Sequence, residues 1–499
     1  MPVEKLEAGN EFLVHPGERI ATDGVVLEGQ SFVDEKLLTG ESLPIERMAG
    51  SNVIGGTING DGGALKVRAT KVGEDTTLSK IVQIVQQALN SKGPVERLVD
   101  TVSIYFVPIV IGIALISFFL WTFVAREPPS FGFTTAIAVL IIACPCALGL
   151  ATPAAIAVGA GKGAENGILI KGGDSLEKME KIDTVVFDKT GTLTNGEPVV
   201  TDIESTSQFS KDEILKLAAI AEKRSEHPVA LAVVKRAAEE FQILPDPESF
   251  RSVPGAGVEA TFSGMQVLIG TASFLGKELD PEAASKIEGL QSLGKTVSLV
   301  SVNGKLAGWI AVADTPKKYA TEALEGLRKM KLEIMMLTGD NRTTASAIAH
   351  ELGIQKFEAE VPPEKKYEVV KLLQVQGSKV AMVGDGVNDA PALAQADVGI
   401  VLGSGSDVAA ETGGIILMKD DLRDVVAAIQ LSRKTMGKIR QNLFWAFAYN
   451  IALIPVAGGL LYVAFGVLLN PIFAGLAMAL SSVTVVSNSL TLRRFKPKF

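Results

Sequence analysis

The stretch that decides the fold is Thr184-Val185-Val186-Phe187, followed at once by Asp188-Lys189-Thr190-Gly191-Thr192-Leu193-Thr194. The first four residues are apolar or β-branched and predict a buried strand. A carboxylate at the carboxyl end of a parallel strand lies where such sheets bind ligands. The glycine and hydroxyl residues that follow suit a loop that binds oxyanions. We therefore interpret Asp188 as a candidate nucleophile.

Two further apolar runs end in polar residues in the same way. Residues 379–383 are followed by Gly384-Asp385-Gly386-Val387-Asn388-Asp389. The oxygen-bearing side chains of Asp385, Asn388 and Asp389 fit Mg²⁺, a hard cation that prefers oxygen ligands. Taken alone, such a run is also typical of a hairpin turn.

The other run, residues 332–337, is followed by Thr338-Gly339-Asp340. The Thr338 hydroxyl and the Gly339 amide can hold phosphate oxygens, and Lys365, in a Pro-Pro-Glu-Lys-Lys run, can neutralise phosphoryl charge. A Thr-Gly-Asp sequence after a strand is more often an ordinary turn. The three runs occur together, each after a strand, and jointly predict a phosphoryl-transfer site.

The chain is too apolar for a purely soluble protein. Its 499 residues are 47% hydrophobic and 21% charged, with a mean hydropathy of +0.29. Residues 102–124, 128–161 and 441–492 are free of charge, and the last stretch is interrupted by Gly466 and an Asn470-Pro471 turn. Because a helix needs about 20 residues to cross a bilayer, we predict four membrane-spanning helices that form two hairpins. The lipid bilayer is therefore a predicted partner of the chain.

The charge and the rare residues exclude other classes. A formal net charge of −8 argues against nucleic acid as a partner. Two cysteines and three histidines exclude a disulfide-built secreted scaffold and a multi-histidine metal domain. Lysines and arginines flank the predicted spans on one side, whereas the short connecting loops offer only Arg126. The positive-inside rule therefore predicts that the soluble domains are cytoplasmic.

No Gly-x-x-x-x-Gly-Lys-Ser/Thr loop is present, so a nucleotide must be held outside a Walker-type site. The segment inserted between Asn195 and Asp314 contains Ser225-Glu226-His227-Pro228. An exposed histidine at a helix start can stack on an adenine. A lone histidine before proline is more often a helix cap, and the residues alone leave both interpretations open.

The turn Thr39-Gly40-Glu41-Ser42 has one carboxylate, and turn glutamates are usually solvated. Aspartyl-phosphate phosphatases often have a second aspartate two positions after the nucleophile, as the acid or base of hydrolysis. Thr190 stands at that position, so an acyl phosphate on Asp188 should persist. Glu41 is the candidate for a carboxylate delivered from elsewhere.

The chain resembles the heavy-metal class (type IB) of P-type ATPases over residues 1–499, with six motifs in the family's order: Thr39 to Ser42, Cys144-Pro145-Cys146, Asp188 to Thr194, Ser225 to Pro228, Thr338 to Asn341 and Gly384 to Pro391. The resemblance implies a multidomain α/β membrane protein. Its parts are a β-rich actuator domain, a haloacid-dehalogenase-like phosphorylation domain, an α+β nucleotide-binding domain and a helical transmembrane bundle.

The resemblance also assigns roles to residues. ATP phosphorylates Asp188, and Glu41 on the moving actuator domain helps water to hydrolyse the phosphoenzyme. Mg²⁺ is held by Asp188, Thr190 and Asp385, close to Asn388 and Asp389. The adenosine part of ATP is contacted by four residues: Glu226, His227, Gly255 and Gly257.

The same resemblance divides the chain into domains. We expect an actuator domain at 1–92, transmembrane hairpins at 93–165 and 433–499, a phosphorylation domain at 166–196 and 313–432, and a nucleotide-binding domain at 197–312. The family's helices before the actuator domain and its Cys-x-x-Cys domain have no counterpart here. We therefore expect a chain that lacks the amino-terminal part of the pump.

The transported ion is predicted from the spans. Cys144 and Cys146 flank a proline that breaks the helix, so thiols and freed carbonyls can point into the bundle. Thiolates select soft ions such as Cu⁺ or borderline Zn²⁺. The last two spans have no charge but contain Tyr449, Asn450, Met478 and Ser482, with the last two at i,i+4. Copper-type members of the family have the same Tyr-Asn and Met-x-x-Ser-Ser motifs.

The sequence therefore favours ATP-driven Cu⁺ export across the plasma membrane, with Ag⁺ as a second substrate and a cytosolic copper chaperone as a possible donor. Two alternatives stay open. One is a zinc or cadmium pump of the same class, which the absence of charge in residues 441–492 disfavours. The other is a membrane-tethered phosphatase without transport, which Thr190 disfavours.

Overall fold

The computed structural model describes residues 6–35, 44–60, 62–90, 93–144, 146–206, 209–253, 256–276, 279–385, 389–403 and 413–499. The chain divides into two compact units. The first unit comprises Met1–Ile182, Asp397–Asp420 and Asp424–Phe499, and the second comprises Asp183–Ala396 and Asp421–Arg423.

The amino-terminal part of the first unit is β-rich, as predicted. Its strands are β1 (Glu11–Val14), β2 (Gly24–Glu28), β3 (Gln30–Asp34), β4 (Ile45–Met48), β5 (Asn52–Val53), β6 (Ile58–Asn59) and β7 (Leu65–Ala69). They form two sheets, in the orders β1-β7-β2-β5 and β4-β3-β6. Valines of these strands, together with Leu65 and Ile20, build a small buried core. The carboxylate of Asp23 accepts hydrogen bonds from Gly55 and Thr77 and ties the sheet to helix α1 (Thr77–Asn90).

Apolar helices follow. They are α2 (Pro94–Phe119), which continues into a π-helical turn at Leu120–Val124, α3 (Pro129–Ile142) and α4 (Cys146–Ala164). Helix α3 ends at Ile142 and α4 begins at Cys146, while Pro145, where the sequence predicts the helix break, lies outside the described residues. After them come β8 (Ile168–Ile170) and α5 (Gly172–Glu180).

The second unit contains an antiparallel sheet of six strands in the order β10-β15-β14-β13-β12-β11. The strands are β10 (Thr194–Ser205), β11 (Ser249–Val253), β12 (Gly257–Phe262), β13 (Met265–Gly270), β14 (Thr296–Val302) and β15 (Lys305–Pro316). Helices α6 (Lys211–Glu222), α7 (Pro228–Glu240), α8 (Ala272–Leu275) and α9 (Pro281–Ser292) accompany the sheet. A Ser210–Glu213 capping box begins α6.

The second unit also contains parallel strands in the order β17-β16-β9-β18. These are β9 (Thr184–Asp188), β16 (Glu333–Leu337), β17 (Lys356–Glu358) and β18 (Val380–Gly384). All residues of β9 and β18 are buried, as expected of strands in a parallel sheet that is covered on both faces. The associated helices are α10 (Ala320–Lys329), α11 (Arg342–Glu351), α12 (Lys366–Val375) and α13 (Ala390–Gln395).

The chain then returns to the first unit. Strands β19 (Val398–Leu402) and β20 (Ile415–Leu417) pair in parallel, and β20 pairs with β8 antiparallel. Helices α14 (Arg423–Ala457), α15 (Leu460–Phe465) and α16 (Pro471–Leu490) complete the structure.

Three of the four predicted membrane spans coincide with described helices that are long and apolar enough to cross a membrane, and the other predicted span stays a prediction. Among the described residues, three helical stretches are long and apolar enough to cross a membrane: Arg97–Val124, Pro129–Ala164 and Pro471–Arg494. The predicted third span falls on the carboxyl-terminal part of the 35-residue α14. That part contains Gln441, Asn442 and Asn450, and α14 ends just before Gly459, whose φ of +100° is left-handed.

Candidate functional site

Asp188 is the last residue of β9, the strand between β16 and β18. In the sheet register Leu337 of β16 lies opposite Asp188, and Val383 of β18 lies opposite Phe187. The loops that follow both strands therefore begin at the edge of the sheet where Asp188 lies. The Asp188 residue is only 5% exposed.

The cation beside Asp188 is Lys366, whereas the sequence pointed to its neighbour Lys365. The Lys366 Nζ donates hydrogen bonds to Asp188 Oδ1 at 2.5 Å and to Asp389 Oδ1 at 2.7 Å. Lys366 is the buried first residue of α12, while Lys365 ends a short 3₁₀ turn and is exposed. The sequence does not show which of two successive lysines is buried. That depends on which side of α12 packs against the sheet.

These three buried groups leave an excess of negative charge. Burial, together with the charge of Asp389, raises the pKa of Asp188 to about 7 although Lys366 opposes the shift. Burial also raises the pKa of Asp389. Burial alone lowers the pKa of Lys366, but the two carboxylates outweigh it and the pKa rises. The site therefore accommodates a further positive charge.

The residues present fit Mg²⁺. Asp389 Oδ2 is buried and has no hydrogen-bond partner, and an orphaned carboxylate oxygen in a site of excess negative charge suits a hard cation. Asp385 lies beside the Asp188 loop, since a Cβ placed on Gly191 would be 3.5 Å from Asp385 Oδ2. Asp188, Thr190 and Asp385 stay the predicted ligands of the ion.

Asp314 and Lys317, which the sequence analysis missed, make hydrogen bonds that hold the loop after Asp188. Gly191 has a φ of +70°, a left-handed conformation that glycine adopts without strain, and its carbonyl accepts a hydrogen bond from Lys317 Nζ at 2.7 Å. Asp314 accepts hydrogen bonds from Thr194 Oγ1 at 2.5 Å and from the Gly196 amide at 3.0 Å. Polar residues at the end of β15 were the available signal for Asp314 and Lys317.

The Thr338-Gly339-Asp340 turn lies at the same edge. Lys189 Nζ is 2.6 Å from Asp340 Oδ2 and 3.7 Å from Asp314 Oδ2. The buried Thr338 accepts a hydrogen bond from the Asp340 amide through Oγ1 at 3.1 Å, and Gly339 is exposed. The structure therefore brings Thr338, Gly339 and Asp340 together with the Asp188 loop.

A separate cavity of about 290 Å³ lies beside the antiparallel sheet. Its lining includes Ser225, His227 and Gly257. His227 caps α7, because its Nδ1 accepts a hydrogen bond from the Val229 amide at 3.3 Å. The ring therefore caps the helix and faces the cavity as well. Gly257 is required for close packing, since a Cβ there would be 2.1 Å from the Ile269 carbonyl oxygen.

The acid at this cavity is Glu222, whereas the sequence pointed to Glu226. Glu222 lines the cavity, while Glu226 is exposed and is not part of the lining. Burial raises the pKa of Glu222 to about 7, opposed by a hydrogen bond from Ser225. A glutamate in the last turn of a helix gives no sequence signal for burial, which depends on the sheet beneath it.

The membrane helices contain two apolar layers with a polar layer between them. One apolar layer joins residues such as Ala143, Ile454 and Ala474, and the other joins Ala147, Ala446 and Val485. The residues that lie between these positions along the chain include Cys144 and Cys146, Asn450 of α14, and Met478 and Ser481 of α16. Asn450, Met478 and Ser481 are buried, and Asn450 Oδ1 and Ser481 Oγ have no hydrogen-bond partner.

Tyr449 and Ser482, the other predicted ligands in the membrane helices, are less buried than Asn450, Met478 and Ser481. Tyr449 is half-buried, and its ring centroid lies 6.0 Å from that of Trp445. The buried face of α16 contains Met478 and Ser481, while Ser482 is half-buried beside it. Ser481 is three residues after Met478, and Ser482 is four residues after it. Because both spacings place two residues on the same side of a helix, the spacing does not tell which serine is buried with Met478.

The sequence predicts free thiols at Cys144 and Cys146, but the structure joins them in a disulfide. The Cα atoms lie 5.4 Å apart, within the range that a disulfide spans. A disulfide has no thiolate, so the sulfurs bind a soft ion only after reduction. The remaining predicted site residues, Glu41, Gly255 and Asn388, lie outside the described residues.

A parallel sheet that presents a buried aspartate, a lysine and a second aspartate at its carboxyl edge defines an aspartate-based phosphoryl-transfer domain. The comparisons with known proteins agree. Residues 182–397 match the family model of haloacid dehalogenase-like hydrolases, and residues 1–86 match the P-type ATPase actuator domain.

The full chain is similar to several transport ATPases. It is 52% identical over its whole length to a probable copper-exporting P-type ATPase of Archaeoglobus fulgidus and 51% identical over 99% to a probable copper-exporting P-type ATPase V of Mycobacterium tuberculosis. It covers 61% and 64% of those relatives, and thus about three fifths of their length. A crystal structure of a zinc-transporting PIB-type ATPase in the E2·Pi state matches 99% of the chain and 80% of that protein, with a TM-score of 0.72 and 36% identity.

The chain belongs to the PIB-type P-type ATPases. The predicted fold class is thereby confirmed, with its actuator, haloacid-dehalogenase-like and membrane-helical parts.

Proposed function

We propose that this chain uses ATP, by way of an aspartyl phosphate on Asp188, to export Cu⁺ from the cytoplasm across the plasma membrane. The observation that supports it most directly is the polar layer in the membrane helices. Two sulfurs, a thioether and two unpartnered oxygens lie between apolar layers, and none of the described residues there is charged. Such a layer suits a soft monovalent ion.

Phosphorylation follows from the positions of the side chains. An Asp188 carboxylate oxygen attacks the γ-phosphorus of ATP, the new O–P bond forms, and the bond to the ADP oxygen breaks. Lys366 and Lys189 offset the charge that develops on the phosphoryl oxygens, and the Thr338 hydroxyl and Gly339 amide donate hydrogen bonds to them. Bound Mg²⁺ supplies further charge neutralisation and orients the phosphates.

Hydrolysis needs a base from elsewhere, because Thr190 occupies the position of the internal acid of phosphatases. We propose that Glu41 accepts a proton from the water that attacks the phosphorus. The phosphoenzyme then persists until Glu41 reaches it, and the delay allows ion movement to be coupled to the reaction. Glu41→Ala should leave phosphorylation intact and slow the decay of the phosphoenzyme, whereas unchanged decay would show that another group is the base.

The adenosine part of ATP is proposed to occupy the cavity lined by His227, Gly257 and Glu222. The exposed face of the imidazole can stack on a purine, and Gly257 lets the base approach the backbone. Tyr449 and Ser482, at the margin of the polar layer, are proposed as further contacts for the transported ion. A small cytosolic copper carrier is a proposed donor, and Ag⁺ a proposed second substrate because it is also soft and monovalent.

One observation favours a second candidate, a zinc pump. The matched crystal structure is described as zinc-transporting. A divalent ion paired with two thiolates still needs oxygen or nitrogen ligands of high charge density, and residues 441–492 contain no charged side chain. The copper-exporting relatives are also more similar, at 52% and 51% identity against 36%. Copper is therefore the stronger proposal.

The deciding experiment measures acid-stable phosphate incorporation from ATP in lipid nanodiscs under reducing conditions. We expect Cu⁺ to stimulate turnover and Zn²⁺ to have no effect. Cys144→Ser with Cys146→Ser should abolish the stimulation, while phosphorylation of Asp188 by inorganic phosphate, which needs no transported ion, should remain. Stimulation by Zn²⁺ alone, or Cu⁺ stimulation that survives the double substitution, would refute the proposal.

A further inference from the structure

We propose that a groove between membrane helices α2 and α15 binds one phospholipid. An acyl chain occupies the groove, and a zwitterionic headgroup of the phosphatidylethanolamine type binds to Arg126 and Glu127 at its mouth. The groove has a volume of about 530 Å³ and belongs entirely to the first unit. Its lining does not include Asn450, so the inference is independent of the transported ion.

The groove is present because α14 ends before it reaches the far side of the bundle. Helix α14 stops at Ala457, and the left-handed Gly459 turns the chain into α15. A Cβ on Gly459 would lie 2.6 Å from Cζ2 of Trp121, so the close approach of the indole requires glycine. The turn leaves a space between α2 and α15 that Trp121 lines.

The lining of the groove favours an apolar ligand. Apart from Ser117, Trp121 and two glycines, all lining side chains are aliphatic. The Ser117 hydroxyl and the Trp121 indole N–H already donate to the Gly458 carbonyl, at 3.3 and 2.8 Å. Leu120 and Val463 in the lining are exposed. A polar ligand would find no free donor here, whereas an acyl chain buries apolar surface.

The mouth of the groove has the features of a membrane surface. The rings of Trp121, Phe131 and Tyr462 contact one another, with centroids 4.7 to 5.4 Å apart. Tryptophan and tyrosine are enriched where the acyl region of a bilayer meets the headgroups. The loop between α2 and α3 begins at this point, so Arg126 and Glu127 lie at the level of the headgroups.

The two charges of this loop complement a zwitterionic headgroup. Arg126 is exposed, and no ion pair joins it to an acid in the described part of the chain. A guanidinium group binds phosphate through paired hydrogen bonds. The Glu127 carboxylate accepts one hydrogen bond, from Tyr462 Oη at 3.3 Å, and retains acceptor capacity for an ammonium group. Phosphatidylethanolamine supplies both partners, whereas the anionic phosphatidylglycerol supplies the phosphate alone.

The test measures quenching of Trp121 fluorescence by lipids with brominated acyl chains, in the full chain reconstituted in phosphatidylcholine vesicles. The background protein is Trp445→Phe, because Trp445 is exposed on α14 and also contacts the bilayer, whereas Trp309 is buried in the second unit. Brominated phosphatidylethanolamine should reach half-maximal quenching at about a fivefold lower lipid fraction than brominated phosphatidylglycerol. One exposed ion pair of about 1 kcal/mol supplies that factor.

Three variants separate the two charges. Glu127→Gln should make the two lipids equal, and Arg126→Gln should raise the fraction that both require. Arg493→Gln, the same substitution at an exposed residue that follows the last membrane helix on the opposite surface, is the matched control and should change neither value.

Equal quenching by the two lipids in the background protein, or a preference for phosphatidylglycerol, would overturn the inference without any change to the loop. A preference that survives Glu127→Gln would also overturn it. Trp121 fluorescence that neither lipid quenches would show that protein covers the groove and would exclude a lipid there.

Discussion

Asp188→Asn should stabilise the second unit even though it removes the nucleophile. Two buried carboxylates, Asp188 and Asp389, share the single ammonium group of Lys366. The substitution leaves one carboxylate paired with one ammonium and removes the uncompensated charge. The pKa of Asp188 rises from the ordinary value of 3.8 to about 7, mainly through burial. A shift of about three pKa units corresponds to roughly 4 kcal/mol, which is the upper limit of the gain.

The sign of the pH dependence follows from proton binding. Between pH 3.8 and about 7 the folded state holds a proton on Asp188 that the unfolded state has lost. Wild-type stability therefore falls as pH rises through this window and changes no further above it. The Asn variant lacks this titration. The difference between the two proteins should grow from pH 5 to pH 7 and then stay constant.

The assay is thermal unfolding by calorimetry at pH 5, 6, 7 and 8 in EDTA, so that no divalent cation neutralises the site. At pH 8 the melting temperature of Asp188→Asn should exceed that of the wild type, while Glu239→Gln, which removes an exposed acid of the same unit, should match the wild type at every pH. The same Asn variant should incorporate no acid-stable phosphate. A variant that melts below the wild type at pH 8, or a difference independent of pH, would refute the charge argument.

Three further predictions concern other contacts. Lys366→Met leaves two buried carboxylates without their cation and should lower the free energy of unfolding by about 3–5 kcal/mol, measured by urea unfolding at pH 8. Lys365→Met should have no such effect. Asn442→Ala removes hydrogen bonds to the Ala151 carbonyl and to Ser489 Oγ, which join three membrane helices, and should lower stability in detergent by about 1–3 kcal/mol; an unchanged melting curve would contradict this. Lys189→Gln breaks the 2.6 Å ion pair at the Asp188 loop and should slow phosphorylation from ATP while nucleotide affinity stays within a few-fold, as equilibrium binding would show.

The sequence was sufficient for the parts of the fold that are determined locally. Asp188 could be located because an apolar strand ends directly at it, and the carboxyl ends of parallel strands meet at one edge. The end of α3 at Ile142 and the start of α4 at Cys146 agree with the expectation that proline interrupts the helical ladder. The third predicted span stays a prediction, because Gln441, Asn442 and Asn450 lower the mean hydropathy of the carboxyl-terminal part of α14.

The phase of a helix against its neighbours was not predictable from one sequence. Lys365 and Lys366 are successive, and only the way α12 packs on the sheet turns one of them inward. Glu222 ends α6 and Glu226 follows four residues later in the connection to α7, and burial of the first depends on a sheet contributed by later strands. Ser481 and Ser482 present the same problem on α16. In each pair the sequence predicts the right type of side chain, and tertiary contacts determine which of the two residues is more buried.

The phosphorylation site and the polar layer of the membrane helices differ in their charge. This difference favours different ions at the two places. At the phosphorylation site two buried carboxylates face one lysine, and a carboxylate oxygen has no partner, so a divalent cation gains on entering. In the polar layer of the membrane helices the unpartnered oxygens of Asn450 and Ser481 are neutral, and among the described residues of that layer the cysteines alone can supply negative charge, after reduction. Because the cost of dehydrating an ion rises with the square of its charge, such a layer receives a monovalent ion more readily than a divalent one. If both proposed sites hold ions, charge balance alone favours Mg²⁺ beside Asp188 and a monovalent ion between the membrane helices.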